Sequence, residues 1–193
     1  MLSSLTVPQL GRARFKWASG LAACGLTLAI ASAMPMPGHA ATSPKQIGTF
    51  GGWSAYTLTD EKAKTKTCYV VARPASTEPK GTKRGEASVL VTHRQGDASN
   101  IEINVNAGYN YKKDSKVELA VGKEKFQLTT FDKPGYKDSA FAPEGKDAAV
   151  VAAMEKAPKM TVKGVSDHGN ETTDTYSLSG LSAALKAIRG ACK

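Results

Sequence analysis

Hydrophobic and polar residues trade places every second position along much of this chain after residue 50, a period that marks strands rather than helices. Ile101, Ile103 and Val105 interleave with Glu102, Asn104 and Asn106, predicting a strand with one wet face. Phe50–Leu58 and, after a lysine-rich loop, Thr67–Ala72 are rich in aromatic and β-branched residues and predict the first two strands. Ala87–His93 contains the unbroken run Val89-Leu90-Val91, which predicts a strand buried on both faces. Val117–Val121 and Glu124–Phe131 flank only Gly122-Lys123, and glycine first in a two-residue loop favours a type II′ hairpin. Asp138–Ala142 adds a short strand, and Lys159–Val165 with Thr172–Leu178 form an antiparallel pair around the turn Ser166–Asn170.

In two segments the period changes to that of a helix. Lys146–Lys156 presents Ala148, Val151, Ala152 and Met154 and stops before Pro158. Leu181, Ala184, Leu185 and Ile188 follow helical offsets, with Ser179 placed as N-cap and Gly190 as the C-terminal stop. The segment 74–85, with prolines, glycines and charges, reads as a mobile exposed loop. The fold class expected is mainly β: an antiparallel β-sandwich-like domain with two short helices, one at the C-terminus.

The N-terminal region obeys neither period. Arg12, Arg14 and Lys16 precede an apolar stretch from Trp17 to Met34, then Pro35-Met-Pro37 and Gly38-His39-Ala40. This is the layout of a secretory signal peptide, 1–40, with cleavage after Ala40. Gly20 and Gly25 interrupt the apolar run and make it marginal for spanning a bilayer. Leu21-Ala-Ala-Cys24 offers the alternative of a lipoprotein acylated on Cys24, but the apolar stretch continues past that cysteine, which favours ordinary cleavage. The remaining domain, 41–193, is of single-domain size. It keeps 23 of the 26 basic residues and all 17 acids, a net charge of 23 − 17 = +6. That surplus aids solubility and favours peripheral contact with anionic membrane surfaces. Its lysines are scattered and form no basic stripe with interleaved aromatics, so nucleic acid is not an expected partner.

Beyond the signal peptide only Cys68 and Cys192 remain, and in an oxidising compartment they read as one disulfide. Such a bond would fasten the terminal helix to an early strand. Two histidines, His93 and His168, allow an envelope hydrolase as an alternative. His93 continues the alternation of Val89 and Val91 and reads as a strand residue, His168 sits in a polar turn, and Ser179-Gly-Leu-Ser182 lacks a Gly-x-Ser-x-Gly elbow. Asp132, Asp138, Glu144 and Asp147 lack calcium-loop spacing, and no redox pair or phosphate loop is visible, so no metal or cofactor is expected. Tyr109 and Tyr111 beside Lys112-Lys113, with Tyr136 between Lys133 and Lys137, form a candidate binding surface for sugars, headgroups or a protein.

The segment Ser166–Ile188, with its Ser-x-x-Gly turn, Asp174-Thr-Tyr176-Ser-Leu178 strand and Gly180-Leu181 opening a helix, resembles the closing segment of invasion associated locus B proteins. Phe50-Gly51-Gly52-Trp53 is similar to that family's opening Phe-Gly-x-Trp, so the resemblance spans the secreted domain. It implies a β-rich exported protein of the bacterial envelope, linked by name to host-cell entry, with no catalytic residues. Many members carry a further cysteine pair before the final helix, which this chain lacks. The function expected is therefore binding rather than catalysis, toward an unidentified envelope or host protein. A structural or stress-related periplasmic role is the remaining alternative.

Overall fold

A computed structural model of the chain describes residues 43–96 and 101–193. The expected signal peptide 1–40, its cleavage site at Ala40 and Cys24 lie outside the described residues. The strands are β1 (Lys45–Phe50), β2 (Trp53–Asp60), β3 (Thr65–Ala72), β4 (Ser76–Glu78), β5 (Ser88–Arg94), β6 (Ile101–Asn106), β7 (Val117–Val121), β8 (Glu124–Thr130), β9 (Ser139–Phe141), β10 (Lys159–Val165) and β11 (Glu171–Ser177). Helix α1 (Asp147–Lys156) lies between β9 and β10, and α2 (Leu181–Ala191) follows β11.

The strands pair antiparallel in the order β1-β2-β3-β5-β6-β9-β8-β7-β10-β11-β4. Alternate residues of both halves of this strip share one core. Trp53, Val70, Val91 and Ile103 come from one half, and Leu119, Met160, Val162 and Tyr176 from the other, all buried. The result is the mainly antiparallel, sandwich-like architecture with two helices that the two-residue period predicts. The Val121↔Glu124 register leaves Gly122-Lys123 as the loop, with Gly122 at φ 60° and Lys123 outside the positive-φ residues, the combination of a type II′ turn.

Several local expectations are corrected. The first predicted strand is a hairpin: residues 45–50 form β1, and Gly51-Gly52 turn the chain into β2. Sequence around Lys45–Phe50 has no alternation to announce a strand, because β1 is an edge strand with only Gly48 and Phe50 partly buried. β5 is not buried on both faces; Val89, Val91 and His93 face the core, while Ser88, Leu90 and Thr92 stay half-covered. In α1 the buried residues are Val150, Val151, Ala153 and Met154, and Ala148 and Ala152 face solvent. An alanine-rich helix has too shallow an apolar stripe to fix its own rotation. Here the rotation goes with a contact at its first turn, where the Asp147 carboxylate accepts the Ile103 amide at 2.8 Å. The Asp147 contact also satisfies a strand donor just where β9 stops pairing with β6.

At α2, Gly180 rather than Ser179 is the N-cap, and it makes no side-chain cap bond. Gly190 lies inside the helix, which runs on to Ala191. The Lys66 ammonium donates to the Ala191 carbonyl at 2.6 Å, a cation on the negative end of the helix dipole. The cystine Cys68–Cys192, with Cα atoms 6.0 Å apart across a separation of 124 residues, fastens the same end to β3. The segment 74–85 is not a free loop. It holds β4, which pairs with β11, and it buries Arg84.

Candidate functional site

The segments that carry the family resemblance meet in space. Gly51 at φ 58° and Gly180 at φ 91° bring the β1–β2 turn and the start of α2 backbone to backbone. A Cβ on Gly180 would overlap the Phe50 carbonyl, and one on Gly51 would meet the Ser179 carbonyl. The fully buried Trp53 donates its indole N–H to the Ser177 carbonyl at 3.1 Å, tying β2 to the end of β11.

Asp174, in the same motif, pairs with Arg84 in the interior, their side chains only 4% and 6% exposed. One guanidinium nitrogen donates to Asp174 Oδ2 at 2.8 Å and to the Ala107 carbonyl at 2.9 Å. The other donates to Asp174 Oδ1 and to Thr77 Oγ1, and the Thr77 hydroxyl donates to Asp174 at 2.7 Å. Burial works against the Arg84 charge, but the Asp174 hydrogen bond and carboxylate prevail and hold its pKa above the usual value. The guanidinium also sits 5.8 Å from the Tyr109 ring centroid. So the ion pair gathers β4, β11 and the 107–109 segment; it is architecture, with both guanidinium Nη atoms and both Asp174 carboxylate oxygens hydrogen-bonded.

The three candidate tyrosines part company. Tyr111 is a core residue, 7% exposed, and burial pushes its ionisation far up. Tyr109 stands edge-on to it at 5.5 Å and shares a 2.7 Å hydrogen bond with Thr172 Oγ1. Burial raises its pKa too, against the opposing pull of that bond and of Arg84. Gly164 on β10 makes room for both rings, since a Cβ there would press on Tyr111. Tyr136 alone is open, 52% exposed.

Tyr109 and Tyr111 thus belong to different grooves. The first, about 730 Å³, lies along the outer face of β2, β3, β5 and β6, where Ser54, Tyr56, Val71 and Ser88 point away from the core. Tyr109, Asn110, Asn106, Asp138, Arg73 and Glu86 complete its wall. Tyr56 stacks across the strands on Tyr69 at 5.2 Å, giving a fixed aromatic platform. Asn106 is held by Asp138 at 2.8 Å and accepts the Gly108 amide. The second groove, about 440 Å³, has Tyr111 and Leu128 among its lining residues together with Lys112, Lys113, Lys116, Phe131 and Lys137. Sequence reasoning missed Phe131 by counting it as the end of a strand; β8 stops at Thr130 and Phe131 is 40% exposed. It also missed Arg84, whose neighbours in sequence all read as loop.

His93 and His168 are not brought to a common site. His93 is 4% exposed, faces the core from β5 opposite Cys68 and Ile101, and its Nδ1 has no partner among the described residues. His168 lies in the β10–β11 turn, exposed, with Asp167 3.7 Å away. Among the described residues no group of three or more His, Cys, Asp or Glu side chains is placed to hold a metal.

A wholly antiparallel β domain whose terminal helix is clasped by a single cystine is of the kind built for oxidising compartments. The chain belongs to the invasion associated locus B family, whose model matches residues 53–189. Its fold is similar to the crystal structure of invasion associated protein B from Bartonella henselae, with a TM-score of 0.53 and 17% identity, over 76% of this chain and 96% of that one. No curated protein matches it.

Proposed function

We propose that this chain is an exported protein of the cell envelope that acts by binding, through the groove on the outer face of β2, β3, β5 and β6. Family membership and the cystine support export to the envelope. The observation that carries the binding reading is the groove's chemistry. Tyrosine rings stand among amide, hydroxyl, carboxylate and guanidinium groups on a rigid sheet. That combination suits a polar ligand with flat or ring-shaped faces, an envelope glycan or a protein loop. Catalysis is disfavoured because neither histidine has a hydroxyl nucleophile among its described hydrogen-bond partners.

The test is a photo-crosslinking residue placed at Asn110, on the groove rim, in intact cells, with the exposed Lys159 at the start of β10 as the control position. One reproducible envelope component captured at Asn110 and not at Lys159 is expected. The same captures at both positions, or none at Asn110, would reject the groove as the working surface.

A further inference from the structure

Three large hydrophobic side chains are notably exposed among the described residues: Ile47 at 36%, Phe131 at 40% and Tyr136 at 52%. Two of them stand together. Phe131 meets Phe141 edge-on at 5.6 Å, and Tyr136 leans on the same ring at 6.2 Å. Phe141 is in β9, in register with Asn104 of β6 and Thr129 of β8, so the pair rests on a sheet rather than on a loose loop. The tip is a turn closed by the Tyr136 amide on the Lys133 carbonyl at 3.0 Å, with Gly135 at φ 84°.

Around this aromatic lobe the charge is mostly positive. Lys112, Lys113, Lys116 and Lys137 line the adjoining groove, and Lys133 is on the tip itself. Lys137 is neutralised by Asp132 at 2.9 Å, and Asp114 also lines the groove. Lys112, Lys113, Lys116 and Lys133 make no ion pair among the described residues. Asp132 keeps its charge, because the Lys137 hydrogen bond holds its carboxyl below the usual range.

We propose that the lobe of Phe131 and Tyr136, with Lys112, Lys113, Lys116 and Lys133 beside it, docks on the surface of an anionic phospholipid membrane. Aromatic rings with one wet edge settle at the headgroup level, and lysines flanking them meet lipid phosphates. A protein partner would more commonly meet a packed apolar centre depleted of lysine. This lobe has the reverse composition: lysine-rich around a small aromatic tip. The surface shares no lining residue with the outer-face groove and stands whether or not that groove binds a ligand.

The experiment is co-sedimentation of the secreted protein with vesicles of phosphatidylcholine alone or with about one third phosphatidylglycerol, at low and moderate salt. The expected result is binding to the anionic vesicles only, weakening as salt rises. Phe131→Ser/Tyr136→Ser should weaken it at least fivefold and Lys112→Glu/Lys113→Glu at least tenfold. Lys80→Glu/Lys83→Glu, equal in charge but on the exposed 79–83 segment, should change it less than twofold. Circular dichroism verifies that each variant is folded. Failure of the parent protein to sediment with anionic vesicles overturns the proposal. Equal loss in the Lys80/Lys83 control also overturns it, since net charge and not this surface would then be responsible. Undiminished binding of the Phe131/Tyr136 variant overturns the role of the lobe.

Discussion

The junction of Gly51, Trp53, Asp174 and Gly180 and the lobe of Phe131 and Tyr136 lie on one domain and are built on opposite principles. At the junction the Trp53 indole and the Asp174 carboxylate are hydrogen-bonded, the Tyr176 hydroxyl being the buried exception, and two glycines sit where a Cβ would meet backbone. At the lobe the aromatic rings are open to solvent, and Lys112, Lys113, Lys116 and Lys133 make no ion pair among the described residues. The first arrangement is what stability requires and the second is what it does not explain. It follows that the motif residues 50–53 and 166–188 report chiefly how the domain closes, whereas the candidate contact residues lie mostly outside those motifs.

Removing the clasp is the harshest way to break that contrast. Cys68→Ser/Cys192→Ser frees a separation of 124 residues, for which chain entropy gives a loss of up to about 5 kcal/mol. Urea unfolding of the double variant against the parent measures it. A loss below about 1 kcal/mol would mean that packing of Leu181, Leu185 and Ile188 alone seats α2, and that the cystine is incidental to closure.

The buried ion pair comes next. Arg84→Met or Asp174→Asn alone leaves a desolvated charge without its partner, with an expected cost of about 3–5 kcal/mol. Arg84→Met/Asp174→Leu removes both charges and should recover much of that loss, because apolar replacements do not need the lost hydrogen bonds. Thermal or denaturant unfolding of the three variants checks both statements. If the double variant is as unstable as the singles added together, the pair's role lies in seating Thr77 and the Ala107 carbonyl rather than in cancelling charge.

These outcomes bear on why part of the molecule was readable in advance. Ile101–Asn106, Val117–Val121 and the Gly122-Lys123 turn announce themselves because each has one wet face or one turn glycine, and a local pattern suffices. The Cys68–Cys192 bond followed from there being only two cysteines beyond the expected signal peptide. Arg84 and β4 were invisible for the opposite reason. Their order comes from β11, some 90 residues away, and Pro74, Pro79 and Gly81 locally advertise a loop. Of the three candidate tyrosines, Tyr136 is open to solvent while Tyr111 serves the core, and nothing local in Thr130-Phe131-Asp132 says that the strand ends one residue early.

A milder test separates backbone strain from close packing. Gly135 and Gly180 both have positive φ, but a Cβ on Gly135 meets open space while one on Gly180 meets the Phe50 carbonyl. Gly135→Ala should cost about 1 kcal/mol from conformation alone. Gly180→Ala should cost that and roughly 1–3 kcal/mol more for forcing two backbones apart. Thermal unfolding of the two single variants gives the difference directly, and equal losses would remove the junction's claim to depend on close approach.

The smallest stability effect is expected at the lobe, and its smallness is informative. Phe131 and Tyr136 keep about half of their surface in water and touch chiefly each other's neighbour, Phe141. Truncating either to serine removes an exposed aromatic contact and opens no cavity, so unfolding should shift by about 0.5 kcal/mol or less. A loss of 2 kcal/mol or more, well above the usual surface range, would mean that the rings cover the Phe141 end of the core, and the lobe would then differ from the junction only in degree. A shift within the surface range, together with loss of vesicle binding in the same variant, would show that these rings are kept exposed for contact, because the fold itself gains almost nothing from them.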